Sequence, residues 1–404
     1  MEIISGGVCA AKGFTANGVH CGIRKNKSKK DLSLIYSEVP ANAAAVYTTN
    51  LVKGAPLLVT KNHLAKSGTA RAVICNSGNA NTCNAGGEQL AEETCALLAK
   101  ELGIAADEVV VASTGVIGLP MSIEPFKAGI PELVRGLGEH GDFAAEGILT
   151  TDTAKKEAAV SFFVGGKECR LGGIAKGSGM IRPNMATMLV FLTTDCAITT
   201  PMLQKALRGD VQNTFNMISI DGDTSTNDMA VLLANGMAGN KIIDAEGEDF
   251  SAFMKALNTV TVCLCKKIAA DGEGVSRLLE CSVTGAKDAD AAKKAAKAVI
   301  CSSLVKTAMF GADANWGRVL CAVGYSGADV DVGRVNIRFR SPKGNILLCE
   351  NGMGVPFSEE KAKEILLEKE IEILLEFGDG EASATAWGCD LTYEYVKING
   401  DYRT

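Results

Sequence analysis

The chain has 404 residues, 47% apolar and 22% charged, the balance of a folded protein and too long for one ordinary small core. Lys and Arg number 41 against 47 Asp and Glu, a net charge of −6, and the basic residues are interspersed, which excludes a nucleic-acid footprint. The N-terminus lacks a basic then apolar leader and no apolar run approaches membrane-spanning length, so a cytoplasmic protein is expected.

In chain order, residues 8–60 form short β-like runs broken by Gly, Asn and Pro. Residues 46–49 and 56–60 read as strands, and 25–30 as a solvated basic turn. Residues 71–75 form a strand leading into Asn76-Ser77-Gly78-Asn79-Ala80-Asn81, a loop dense in side-chain amides. Residues 87–102 carry apolar side chains at helical spacing and stop at Gly103. A strand at 109–112 runs into Ser113-Thr114-Gly115-Val116-Ile117-Gly118. This alternation predicts a mixed α/β layer architecture.

Two further strands are predicted at 158–164 and 169–174, and a third at 187–194. Helices follow at 201–213 and 250–270, separated by the polar loop 219–228. An Ala/Lys-rich helix covers 289–309 and is interrupted or finished near Phe310-Gly311. Strands are expected to dominate 319–349, then a charged helix at 358–377 and a last strand at 391–398. No repeat, linker or low-complexity segment separates domains.

Fourteen cysteines are scattered singly without a C-x-x-C pair, and Cys263 and Cys265 lie in an apolar helical pattern. Of His20, His63 and His140 only His20 neighbours a cysteine, Cys21, which is not a zinc spacing. Structural thiols and no metal are expected. Gly172–Ser178 fails as a phosphate loop because Ala175 precedes Lys176 and Gly177 follows it. Asp221-Gly222-Asp223-Thr224 fails as a calcium loop because Ser225 and Thr226 stand where a ligand and the turn glycine belong. No G-x-S-x-G elbow is present, and His140 reads as a solvated turn residue.

The central stretch is Lys176-Gly177-Ser178-Gly179-Met180-Ile181-Arg182-Pro183-Asn184-Met185-Ala186-Thr187-Met188-Leu189. A glycine-rich turn brings a lysine and an arginine to the entrance of a buried strand. Thr187 has two readings. It is a β-branched residue opening a strand, or a nucleophile whose own α-amine, freed by a cut after Ala186, serves as base. A free α-amine has a pKa of about 7.7–8.0, suited to accepting a hydroxyl proton near neutral pH.

That stretch resembles the cleavage site of the glutamate N-acetyltransferase/ornithine acetyltransferase family of arginine biosynthesis. Blocks at 76–81, 113–118, 150–153, 271–274 and 310–318 resemble family blocks in the same order, so the resemblance spans the chain. It implies a layered α/β sandwich with central β-sheets flanked by helices, of the self-cleaving N-terminal-nucleophile type. Cleavage between Ala186 and Thr187 would give an α chain (1–186) and a β chain (187–404), assembled as an α2β2 heterotetramer. Thr187 would be the nucleophile, and Thr114 and Gly115 the oxyanion hole. Thr150, Lys176, Thr187, Glu273, Asn399 and Thr404 would contact substrate.

The implied reaction is ping-pong: Nα-acetylornithine acetylates Thr187, ornithine leaves, and glutamate accepts the acetyl group. No cofactor is implied, although some members also accept acetyl-CoA as donor. Read without the resemblance, Thr114–Gly115 is a turn after a strand, Glu273 a solvated turn residue and Lys176 a surface charge. Val275-Ser276-Arg277 departs from an Ala-Thr-Lys pattern common in the family, a change that bears on how Glu273 is held. Two other functions remain open at this point, a hydrolase on a related fold and a binding protein that never matures.

Overall fold

The computed structural model describes residues 1–182 and 188–401. They divide into two compact units, each with its own mixed sheet and its own helices. The first holds Met1–Gly177, 188–215 and Thr224–Leu264; the second holds Ser178–Arg182, Asn216–Asp223 and 265–401.

Along the chain the first unit supplies β1 (Glu2–Ile4), β2 (Phe14–Val19), β3 (Leu32–Tyr47), β4 (Thr69–Asn79), β5 (Val109–Val116), β6 (Lys156–Val164), β7 (Lys167–Lys176) and β8 (Leu189–Thr194). The next strand, β9 (Ile218–Ser219), belongs to the second unit, and β10 (Met229–Ala234) returns to the first. Among the described residues the first sheet runs β1-β6-β7-β8-β10-β3-β4-β5, with β2 on β3. β8 pairs β10 in parallel, as β4 pairs β5, and the other pairs are antiparallel. The strands on either side of the central stretch, β7 and β8, are direct neighbours, with Lys176 opposite Leu189.

Both faces of this sheet are covered, and the sequence shows why. Ala72 and Ile74 of β4 with Val109 and Val111 of β5 pack against the helices Gly87–Leu102 and Glu124–Arg135. The alternate residues Val73, Cys75, Val110 and Ala112 join Ala144, Ala145 and Ile148 on the other side. A strand apolar at every position is what a two-sided core requires. Each fully buried Leu, Ile or Phe there contributes roughly 1.5–3 kcal/mol.

The second unit adds β11 (Leu278–Ala286), β12 (Asn336–Ser341), β13 (Gly344–Glu350), β14 (Met353–Gly354), β15 (Glu370–Glu376) and β16 (Ala382–Cys389). Its sheet order is β14-β13-β12-β15-β11-β16-β9. The helix Ala289–Cys301 lies on β11 and β16 through Ala291, Ala292, Ala295, Ala296, Val299 and Ile300. Small residues at this spacing let helix and sheet approach closely. Among the described residues no helix is long and apolar enough to cross a membrane.

The helix predicted at 87–102 is present with those bounds, and β6, β7 and β8 lie where strands were expected. Several elements differ. Residues 56–60, expected as a strand, open the helix Ala55–Ser67, where Pro56 sits in the first turn and needs no N–H partner. The amide-rich loop begins later than expected, since β4 continues to Asn79. The helix expected over 289–309 breaks at Ser302, whose extended backbone and side chain cap a second helix, Ser303–Phe310. Within 319–349, expected as strands, the helix Trp316–Gly324 comes first, capped by Asn315.

The charged helix at 358–377 is two elements, the helix Glu359–Leu366 and β15. The run Glu-Ile-Glu-Ile-Leu-Leu-Glu alternates with period two, and Ile371, Ile373 and Leu375 are buried. The last expected strand, 391–398, is the helix Tyr393–Asp401. Its Tyr393 and Val396 are exposed, so the aromatic and β-branched content that marked a strand does not track burial. β10, β11 and β16 were not predicted.

Candidate active site

In the first unit, Thr114 and Gly115 lie at the end of β5, where its ladder with β4 loses register between Gly78 and Asn79. Gly115 has φ +130°, and a Cβ on it would stand 2.4 Å from the Gly78 carbonyl carbon. Only glycine fits, and the kink turns the strand end at the residue after Thr114. Thr114 is buried, and Lys176 at the end of β7, 9% exposed, brings Nζ to 3.5 Å from its Oγ1. A long, donor-tipped side chain and a hydroxyl are thus presented together, against the reading of Lys176 as a surface charge.

Thr150 is placed by Asp152, whose Oδ2 accepts its backbone N–H at 3.0 Å. Oδ1 accepts from Lys156 Nζ at 2.6 Å and from the Gly177 N–H at 2.7 Å. Asp152 therefore ties the Thr150 segment to the residue following Lys176. Burial acts to raise its pKa, but the ammoniums of Lys176 and Lys156 and the hydrogen bonds from Lys156 and Thr150 outweigh it and hold the carboxyl well below the usual carboxylate range. Neither Asp152 nor Lys156 was assigned a role from sequence. The available signal was an acid and a lysine four residues apart just before a strand.

The polar loop before β10 enters the same region. Asn227 Nδ2 donates to Ala80 O at 2.6 Å and to Ser113 O at 3.0 Å, and its Oδ1 accepts from Thr82 Oγ1 at 2.6 Å. The next residue, Asp228, is 3% exposed, and among the described residues its Oδ2 has no hydrogen-bond partner. Burial pushes its carboxyl well above the usual carboxylate range, against the opposing pull of Ser225 hydrogen bonds and Lys176. Asp228 too was missed.

In the second unit, Glu273 sits in the turn after the helix Glu248–Ala269, half-buried. Its N–H donates to Ser178 O at 2.9 Å, and its Oε2 accepts from Asn399 Nδ2 at 2.7 Å. A Cβ at Gly179 would come within 2.5 Å of the same carboxylate, so the glycine makes room for it. Asp221, in the loop that failed as a calcium site, accepts the N–H groups of Met180 and Ile181 at 2.5 and 2.8 Å. Ser276 and Arg277, two of the three departures from the family pattern, donate their backbone N–H groups to Asp390 at 2.9 and 3.0 Å. The turn carrying Glu273 is thereby anchored to the end of β16.

Two clusters result: Thr114, Lys176 and Thr150 with Asp152 in one unit, and Glu273 with Asn399 in the other. Ala186, Thr187 and Thr404 lie outside the described residues. Among the described residues no group of three or more His, Cys, Asp and Glu is arranged to hold a metal.

The sequence profile of the ArgJ family matches residues 15–404. The arginine biosynthesis bifunctional protein ArgJ of Caldanaerobacter subterraneus subsp. tengcongensis is 51% identical, each chain covered whole. That of Symbiobacterium thermophilum is 50% identical, again with each chain covered whole. A crystal structure of the Bacillus halodurans protein of the same name is 44% identical, covers 53% of this chain and 98% of its own, and has a TM-score of 0.50. The chain belongs to the ArgJ family.

Proposed function

We propose that this protein is an acetyltransferase of arginine biosynthesis, moving the acetyl group of Nα-acetylornithine to glutamate through an acetyl ester on Thr187. The observation that carries the reading is the buried pairing of Lys176 with Thr114 at 3.5 Å, with Lys176 at the end of β7 opposite Leu189 of β8. Self-cleavage after Ala186 frees the Thr187 α-amine as base. The Thr114 hydroxyl and the Gly115 N–H hold the charge that develops on the acetyl oxygen, contacts of a type worth about 2.7–4 kcal/mol each.

Lys176 supplies a flexible point charge for the α-carboxylate that acetylornithine and glutamate share. Thr150, Glu273, Asn399 and Thr404 complete the contacts to substrate, with Glu273 meeting the side-chain ammonium of ornithine. Discharge of the ester to glutamate rather than water requires a site that positions the amine and excludes solvent. No cofactor enters this chemistry. The relatives are named bifunctional, and we read the second activity as acetyl transfer from acetyl-CoA to glutamate. The substrates are small molecules, and the protein works in the cytoplasm.

After cleavage, chains 1–186 and 187–404 stay together because β8 and β10 are hydrogen-bonded within a sheet whose other strands precede residue 186. Pairing of two such halves as α2β2 follows the family resemblance. The Bacillus halodurans polypeptide, matched almost whole by 53% of this chain, is in keeping with halves that exist as separate chains. Acetylornithine carrying a 13C acetyl label tests the reaction. The label is expected to appear in N-acetylglutamate when glutamate is present, whereas free acetate formed at the same rate without glutamate would make the protein a hydrolase.

A further inference from the structure

Between the end of β4 and the helix Gly87–Leu102 lies a cavity of about 320 Å³ for which the chemistry above has no use. None of Thr114, Thr150, Lys176, Glu273 and Asn399 lines it. Its volume is at the low end of the roughly 300–1,000 Å³ of small-molecule sites, enough for one small metabolite.

Polar groups converge on this space. Asn81 is 1% exposed, and its side chain is oriented by Nδ2, which donates to the Gly87 carbonyl at 2.9 Å. Its Oδ1 is then left buried beside Gly87 with no partner among the described residues, and both residues line the cavity. Asn84 lines it too, and both polar atoms of its side-chain amide are buried and unpartnered among the described residues. Buried polar groups are almost always hydrogen-bonded, so three orphaned atoms around one cavity call for a ligand that supplies both donors and an acceptor.

Charge of both signs is present as well. The helix Gly87–Leu102 starts in the wall, and with Gly86 at its cap no side chain bonds its first-turn N–H groups. That end of the helix favours an anion. Lys53 and Glu88 both line the cavity, and among the described residues neither is ion-paired. A simple anion would leave the two amide oxygens and Glu88 unanswered. A simple cation would leave Lys53, Asn84 Nδ2 and the helix end unanswered.

We propose that this cavity is a binding site for a free α-amino acid, held as its zwitterion. Lys53, Asn84 Nδ2 and the first-turn N–H groups take the α-carboxylate. Asn81 Oδ1, Asn84 Oδ1 and the Glu88 carboxylate take the α-ammonium. The site is joined to the catalytic end of β5: Thr82, between Asn81 and Cys83, donates to Asn227 Oδ1, and Asn227 donates to the carbonyl of Ser113, the neighbour of Thr114. Glutamate and ornithine are the free amino acids of the proposed reaction, and their choice as probes rests on that reading; the site itself does not.

The test uses the full-length protein and a thiol already in place. Cys83 is exposed and lines the cavity, whereas Cys321 is exposed in the second unit. Alkylation by iodoacetamide is followed at each cysteine by peptide mass. Glutamate and ornithine are expected to slow reaction at Cys83 several-fold, saturably, with Cys321 unchanged. Glycine, which has the α groups alone, protects at higher concentration, and N-acetylglutamate, which has no ammonium, does not protect. Lys53→Ala and Glu88→Gln, both at exposed positions, should each raise the half-protecting concentration about tenfold or more, with the melting temperature unchanged.

No protection by any of the three amino acids overturns the proposal. Equal protection by N-acetylglutamate overturns it too, because the ammonium would not be recognised. So does protection that survives both substitutions, which would put the amino acid elsewhere. Acetyl transfer measured on the same samples keeps the readings apart. Transfer without protection removes this site alone, and protection without transfer removes the proposed reaction alone.

Discussion

Lys156 reaches Asp152 at 2.6 Å with both side chains sealed from solvent, and the same carboxylate holds the backbone N–H groups of Thr150 and Gly177. A buried pair of this kind contributes little net stability when intact, yet removing one partner strands a charge. Asp152→Ala is expected to lower unfolding stability by about 3–5 kcal/mol. Urea denaturation at pH 7 measures it, and a loss near zero would show that water reaches Lys156.

The same pair sets an acid limit. The folded-state pKa of Asp152 is depressed, against about 3.9 for an unfolded aspartate. Its contribution is therefore fully present above about pH 4 and is lost as pH falls through the folded value. The stability gap between wild type and Asp152→Asn should hold constant from pH 7 to about pH 5 and narrow below about pH 4. Denaturation curves at several pH values check this; a gap that widens on acidification would contradict the assignment.

Gly115→Ala places a Cβ where the Gly78 carbonyl carbon is 2.4 Å away, at φ +130°. The backbone there must move, at a cost of order 1–3 kcal/mol. An oxyanion donor would move with it, so kcat should fall about 100-fold or more. Steady-state kinetics beside a melting curve separate the two effects. A variant that keeps its kcat would remove Gly115 from the oxyanion site.

Asn399 is exposed and donates to Glu273 Oε2 at 2.7 Å. Asn399→Ala should raise KM for acetylornithine about three- to tenfold with kcat little changed, the pattern of a lost binding contact. Gly179→Ala crowds the same carboxylate from the other side and should act in the same direction. A fall in kcat at unchanged KM would place Glu273 in the chemistry rather than in binding.

Local patterns carried much of this fold. The helix ending at Gly103 combined apolar spacing with a glycine in the left-handed conformation, and the β6–β7 pair is two apolar runs around Gly165-Gly166. Patterns misled where two periods compete. Leu57 and Val59 look like strand residues, but Pro56 and Gly68 bracket a helix, and the glutamates of β15 hid a period-two strand inside a charged stretch.

The motif residues Thr114 and Lys176 were legible as members of long blocks, although nothing local shows that they meet. Asp152–Lys156 and Asp228 were not legible as site residues. Their meaning depends on burial and on partners brought together by the sheet, such as Gly177 25 residues away from Asp152.

The central claim is that Thr187 becomes an N-terminal nucleophile and carries the acetyl group. Intact mass of the purified protein, before and after brief incubation with acetylornithine, tests it most directly. The account predicts two fragments dividing between Ala186 and Thr187, with the 187–404 fragment gaining one acetyl group that glutamate removes. A single uncut chain that gains no mass would contradict it.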